Sequence, residues 1–205
     1  MPTAMATSRA YLWVVWAVAI ALAIGAGLGG RMFWEGRSDN GALGAAQLGG
    51  PFSLVTHTGA PITEADLLGS PSALFFGFTH CPEICPTTIF DINAWLEELG
   101  PQADSLKVYF VTIDPERDPP EVLGDYVTAQ SDRVTGISGP PDAVRAMADI
   151  WRVYYKSQPL DDGDYTMDHT SLIYLLDDEG EYAELIRYGE PAESAVAKLS
   201  ALLSN

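Results

Sequence analysis

Cysteine and histidine are scarce in this chain of 205 residues, with two of the first and three of the second. Two cysteines cannot build a multi-disulfide scaffold, and they are too few for the four-ligand sets of a structural zinc site or an iron-sulfur cluster. Basic residues are scarce as well: 11 Lys and Arg stand against 28 Asp and Glu, a formal net charge of -17. Such a surface repels phosphate backbones and anionic lipid heads, which argues against nucleic acid as a partner. Acidic clusters at Asp161, Asp162 and Asp164 and at Asp177, Asp178 and Glu179 fit solvated turns, or a face that steers a cationic partner. Internal repeats and low-complexity tracts are missing too, so the length suits one globular domain plus an accessory segment.

The accessory segment is the uncharged run from Ala10 to Gly30, between Arg9 and Arg31. At about 1.5 Å per residue it spans about 30 Å, the thickness of a bilayer core. It has no polar face, which argues against a buried core helix. It is long for a signal-peptide core and ends without one clear A-x-A cleavage site, so an uncleaved anchor is the preferred reading. Trp13, Trp16 and Trp34 are candidate interfacial anchors, and the flanking charges orient the span only weakly. The expected organisation is a tail at 1–9, a transmembrane helix at 10–30, a linker at 31–50 and a folded domain at 51–205. The linker is rich in Gly, Ala, Ser and Asn from Glu35 to Gly50.

From Pro51 onward, short apolar runs alternate with helical stretches. Strands are expected at Phe52–Thr56, Ala73–Phe78, Leu106–Ile113 and Val134–Ile137, then as a hairpin at Ser171–Leu176 and Glu181–Arg187. Helices are expected at Pro86–Leu99, Pro119–Thr128, Pro141–Trp151 and Pro191–Leu203, each opening on a proline. This is an α/β layout, with Ala73-Leu74-Phe75-Phe76 and Val108-Tyr109-Phe110-Val111 as strands covered on both faces. Val153 to Met167 breaks the alternation, as an extra hairpin or a loop.

The chemistry centres on Phe78-Thr79-His80-Cys81-Pro82-Glu83-Ile84-Cys85-Pro86, where a central strand gives way to a helix. Two thiols separated by Pro82-Glu83-Ile84 can chelate one ion or form a disulfide, because the short segment brings their Cα atoms within roughly 4.4 to 6.8 Å. A helix N-terminus favours the thiolate, and Pro86 places the pair in a loop or first turn. Soft thiolates select copper(I), zinc or iron-sulfur chemistry, and a Cys-Cys-His set suits copper. The candidate third ligand is His169, although an isolated histidine at a strand end is most often structural. His57 is expected on the surface, and His80 beside the ligands rather than among them. A third segment, Ile113-Asp114-Pro115-Glu116-Arg117-Asp118-Pro119, leaves another central strand. Open α/β sheets gather sites at the carboxyl ends of strands, which puts Cys81 and Asp114 along one edge. Asp114 could orient a ligand there, while Asp118 is expected to cap the following helix.

These residues resemble the Sco (SenC) family of copper-binding proteins needed to assemble the CuA centre of cytochrome c oxidase. The resemblance rests on Phe76-Gly77-Phe78-Thr79-His80-Cys81-Pro82-Glu83-Ile84-Cys85-Pro86-Thr87, on Asp114-Pro115-Glu116-Arg117-Asp118, and on Asp168-His169-Thr170 ahead of Tyr174-Leu175. It covers Pro51 to the C-terminus in the right order, with an N-terminal anchor also typical. It implies a thioredoxin-like fold, a central mixed sheet flanked by helices. It also implies copper, Cu(I) and/or Cu(II), held by Cys81, Cys85 and His169, with the two thiols redox-active and Asp114 assisting copper handling or partner recognition. Pro119 stands where the family more often has Thr or a similar cap residue. The implied role is a copper chaperone whose partner is the CuA-bearing oxidase subunit, alongside an upstream periplasmic copper donor and a thiol reductase. The implied place is a bacterial inner membrane, single-pass, with the domain in the periplasm. The alternative is a thiol-disulfide oxidoreductase that reduces the CuA-site cysteines; a peroxiredoxin-like peroxidase is disfavoured by the nearby second cysteine.

Overall fold

The computed structural model describes Trp16 and residues 48–161 and 163–204. The expected transmembrane run at 10–30 lies outside the described residues but for Trp16, as do the tail and nearly all of the linker. Among the described residues no helix is long and apolar enough to cross a membrane.

The domain is organised by its least polar segments. β3 (Ser72–Gly77) is buried at every position, and β4 (Lys107–Thr112) at every position but its first. Strands wrapped in side chains on both faces belong at the centre of a sheet. They pair there in parallel, Ser72 with Lys107 through Gly77 with Thr112, and Phe75 meets Phe110 edge to face at 5.3 Å. β5 (Val134–Ser138) extends the parallel part, and β1 (Ser53–Thr56), β2 (Pro61–Thr63), β8 (Leu172–Leu176) and β9 (Tyr182–Arg187) add antiparallel edges. The order is β2-β1-β5-β4-β3-β8-β9. α1 (Ile84–Leu99) packs against α4 (Ala192–Leu203), α2 (Pro120–Thr128) against β5, and α3 (Pro141–Ile150) against β1. This is the expected α/β, thioredoxin-like arrangement. Element ends fall within two residues of the expectation, and β2 is an addition, too short for an alternating pattern to register.

The interrupting segment is a hairpin, β6 (Tyr155–Pro159) with β7 (Tyr165–His169), forming a separate two-stranded sheet.

Two expectations need correction. Asp118 does not cap α2, whose N-cap is Pro119 with no side-chain bond. Its carboxylate turns inward, fully buried, and accepts from the Thr79 amide at 3.0 Å, Thr79 Oγ1 at 2.5 Å and Thr112 Oγ1 at 2.7 Å. Pro119 and Pro120 supply the fixed φ that starts this helix without a cap. His57 is more than a surface residue: its Nδ1 accepts the Gly136 amide at 3.0 Å and its own amide donates to the Gly136 carbonyl at 2.7 Å, tying the end of β1 to β5.

A buried carboxylate with three donors is stabilising only while all three remain, since each orphaned donor keeps its desolvation penalty. Asp118→Ala is therefore expected to lower stability by about 3 kcal/mol, as a shift in the urea midpoint at unchanged m-value. A midpoint unmoved by the substitution would contradict this account.

Candidate metal centre

β3 and β4 end side by side, so the loops after Gly77 and Thr112 leave from one edge of the sheet, as the parallel pairing requires. The first loop leads directly into α1. The helix starts earlier than expected, with Glu83 as N-cap, which makes Cys85 the second helical residue and Pro86 the third. Proline is tolerated there because first-turn amides have no intrahelical acceptor. The Cys85 amide, one of these free donors, points at Cys81 Sγ from 3.3 Å.

Both cysteines are free. Cys85 is wholly buried, whereas Cys81 keeps 8% of its surface, so Cys81 is the sulfur nearer solvent. The hydrogen bond from Cys85, aided by His169 and the backbone amides of Cys85 and Glu83, outweighs burial and holds the Cys81 thiol at about 4. That same contact, then burial and the charge on Cys81, pushes Cys85 far upward. The pair therefore shares one negative charge and one proton at neutral pH.

His169 ends β7 and reaches the pair across 84 residues of chain, with Nε2 3.9 Å from Cys85 Sγ. Its Nδ1 lies 2.9 Å from the Thr170 carbonyl, a partner that can only accept. Nδ1 therefore carries a hydrogen, and Nε2 is the ring nitrogen that faces the sulfurs. The Phe78 ring stands edge-on at 5.8 Å and limits rotation of the imidazole. The ligand atoms of Cys81, Cys85 and His169 all lie within 4.8 Å of one another, beside a cavity of about 520 Å³ that Cys81, Pro82, Ile84, Tyr154 and His169 help to line.

Asp114 lies on the same edge but bonds elsewhere. It is buried, accepts from Arg117 Nε at 2.6 Å and from the Tyr165 hydroxyl at 2.9 Å. Burial and this carboxylate push the Tyr165 hydroxyl up to about 12, so it stays a donor. His80 is exposed, its Nδ1 3.1 Å from Thr79 Oγ1, and stands outside the ligand group. Gly77 was not anticipated. A Cβ there would lie 2.7 Å from Cys85 Sγ and 2.9 Å from the Phe110 ring, so the bare backbone makes room for the sulfur. A glycine between two phenylalanines in an otherwise apolar strand was the available signal.

Residues 40–204 match the SCO1/SenC family model. The chain belongs to the SCO1/SenC family. Among its SCO1/SenC relatives, the human mitochondrial SCO1 homolog is 40% identical over 159 residues, covering 74% of this chain and 53% of that protein. Mitochondrial SCO2 of Saccharomyces cerevisiae is 36% identical over 165 residues, covering 78% and 54%. The chain thus spans about half the length of these relatives. The structure of ScoI from Bradyrhizobium japonicum with copper bound is 40% identical, with a TM-score of 0.70, covering 76% of this chain and 99% of that one. Yeast Sco1 with copper bound is 33% identical, with a TM-score of 0.72, covering 78% and 90%.

Two expected outcomes follow from the thiol pair. With Cys81 ionised above pH about 4 and Cys85 still protonated, metal uptake at pH 7 should release about one thiol proton, rising toward two only as pH falls through 4. Calorimetry in buffers of different ionisation enthalpy reads this, and two protons at pH 7 would mean that Cys81 is an ordinary thiol. Gly77→Ala should lower stability by about 1 to 3 kcal/mol, and less in a Cys85→Ala background, where the sulfur contact is gone and the Phe110 ring alone stands close. Equal losses in both backgrounds would place the strain elsewhere.

Proposed function

We propose that Cys81, Cys85 and His169 hold one copper ion as cargo, for delivery to the CuA site of cytochrome c oxidase during assembly. The observation that carries this reading is the convergence of two soft sulfurs and one freed imidazole nitrogen at a single point. Thiolates favour Cu(I) and imidazole accepts either oxidation state of copper, so the donor set suits Cu(I) and/or Cu(II). Three donors also fall short of closed four-ligand coordination, and the open cavity lets an acceptor's ligands approach. Copper-bound relatives with the same fold support the assignment.

The residues divide the work. Cys81, already a thiolate, binds first; Cys85 gives up its proton as the second sulfur closes. His169 adds a neutral donor that can leave without a change of charge. Exchange would proceed at the rim, where Cys81 has its exposed edge. The partners in this scheme are the CuA-bearing oxidase subunit, an upstream periplasmic copper donor and a thiol reductase that keeps the cysteines reduced. The apolar run at 10–30 would tether the domain to a bacterial inner membrane, on the periplasmic side.

A reductase acting on the CuA-site cysteines is the second reading, favoured by the acidic Cys81 thiol beside a buried partner. Attack by Cys81, then displacement by Cys85, would leave both in a disulfide and the acceptor reduced. Titrating Cu(I) into the reduced full chain should give one equivalent bound, with affinity reduced at least about tenfold in His169→Ala and more in Cys85→Ser. Unchanged affinity in both variants would exclude this ligand set. An apo chain that restores an oxidised acceptor while carrying no copper would favour the reductase.

A further inference from the structure

Two strands alone make a marginal structure in water, yet β6 and β7 carry His169 and lie outside the main ladder. At its far end β7 runs into β8, with the Thr170 amide donating to the Tyr154 carbonyl at 2.9 Å. Its beginning is fastened by Arg117 and Asp114. Arg117 Nη1 donates to the Tyr165 carbonyl at 2.8 Å and pairs with Asp164 at 3.1 Å, and the guanidinium lies 3.6 Å over the Tyr165 ring. Arg117 is itself held by Asp114 through Nε, and the Tyr165 hydroxyl returns to the other oxygen of that carboxylate. Arginine, carboxylate and tyrosine thus form a closed ring between the loop after β4 and the start of β7.

We infer that Arg117 is a positioning residue for His169: by clamping Tyr165 to Asp114 it seats the β6–β7 hairpin and so presents the imidazole to the two sulfurs. It touches none of the three donor residues. The same loop holds the thiol side through Asp118 and Thr79, so residues 114–118 set both halves of the site against each other. The inference rests on the copper reading for its consequence, but the clamp itself is independent of metal. Lysine cannot substitute, because one ammonium lacks the planar fork that reaches Asp114 and the Tyr165 carbonyl together while lying flat on a ring.

The test uses the full chain. In the reduced, metal-free protein, Arg117→Ala and Arg117→Lys should both speed amide hydrogen exchange across 155–169 by at least about tenfold while the amides of β3 and β4 stay protected. Tyr165→Phe, which loses only the hydroxyl bond and threatens the fold least, should show a smaller change in the same place. Unchanged exchange in the hairpin, or equal acceleration in β3 and β4, would overturn the clamp. With Cu(I) as the probe, Arg117→Ala should weaken binding about tenfold in the parent chain and leave affinity unchanged in a His169→Ala background. Equal weakening in both backgrounds would overturn the route through the imidazole. If His169→Ala alone leaves affinity intact, the ligand assignment fails, while the exchange result still decides the clamp.

Discussion

The buried carboxylate of Asp118 is the constraint on which the site depends. A carboxyl group enclosed this completely must have its lone pairs filled, and the available donors come from the loop after β3 and from the end of β4. Thr79 stands two positions before Cys81, and Thr112 ends β4. Satisfying Asp118 therefore fixes the cysteine loop against the neighbouring strand before any donor group is considered. The Thr112 hydroxyl in turn accepts the Asp114 amide at 2.9 Å, which carries the same order forward toward Arg117.

Around that anchor, the hydrogen bond between the two thiols acts on them in opposite directions. For Cys85 that contact and then enclosure both favour the neutral sulfur. Cys81 escapes because its neighbour keeps a proton to donate, and because the start of α1 supplies unfilled amides. Each sulfur's state thus defines the other's, and replacing either one alters both.

Most of the fold was legible because its central strands are apolar on both faces and its helices begin near prolines, two signals that survive without tertiary information. The donor triad was legible for a different reason: with only two cysteines and three histidines, few combinations exist, and spaced motifs selected one. What stayed hidden depended on direction. Asp118 precedes a proline at a helix start, where a cap is the ordinary role, and no pattern shows that its side chain turns inward. Arg117 carries no separate signal in the sequence, since its partners Tyr165 and Asp164 lie 48 and 47 residues away. His57 passed for solvent-facing because the amide that binds it belongs to β5.

The separate hairpin has a consequence for the character of the donor set. With β6 and β7 seated, a borderline nitrogen stands beside two sulfurs; a hairpin held aside would leave sulfur alone, and thiolate alone prefers the cuprous ion. Valence preference would thereby follow the seating of a hairpin that pairs with no strand of the seven-stranded platform.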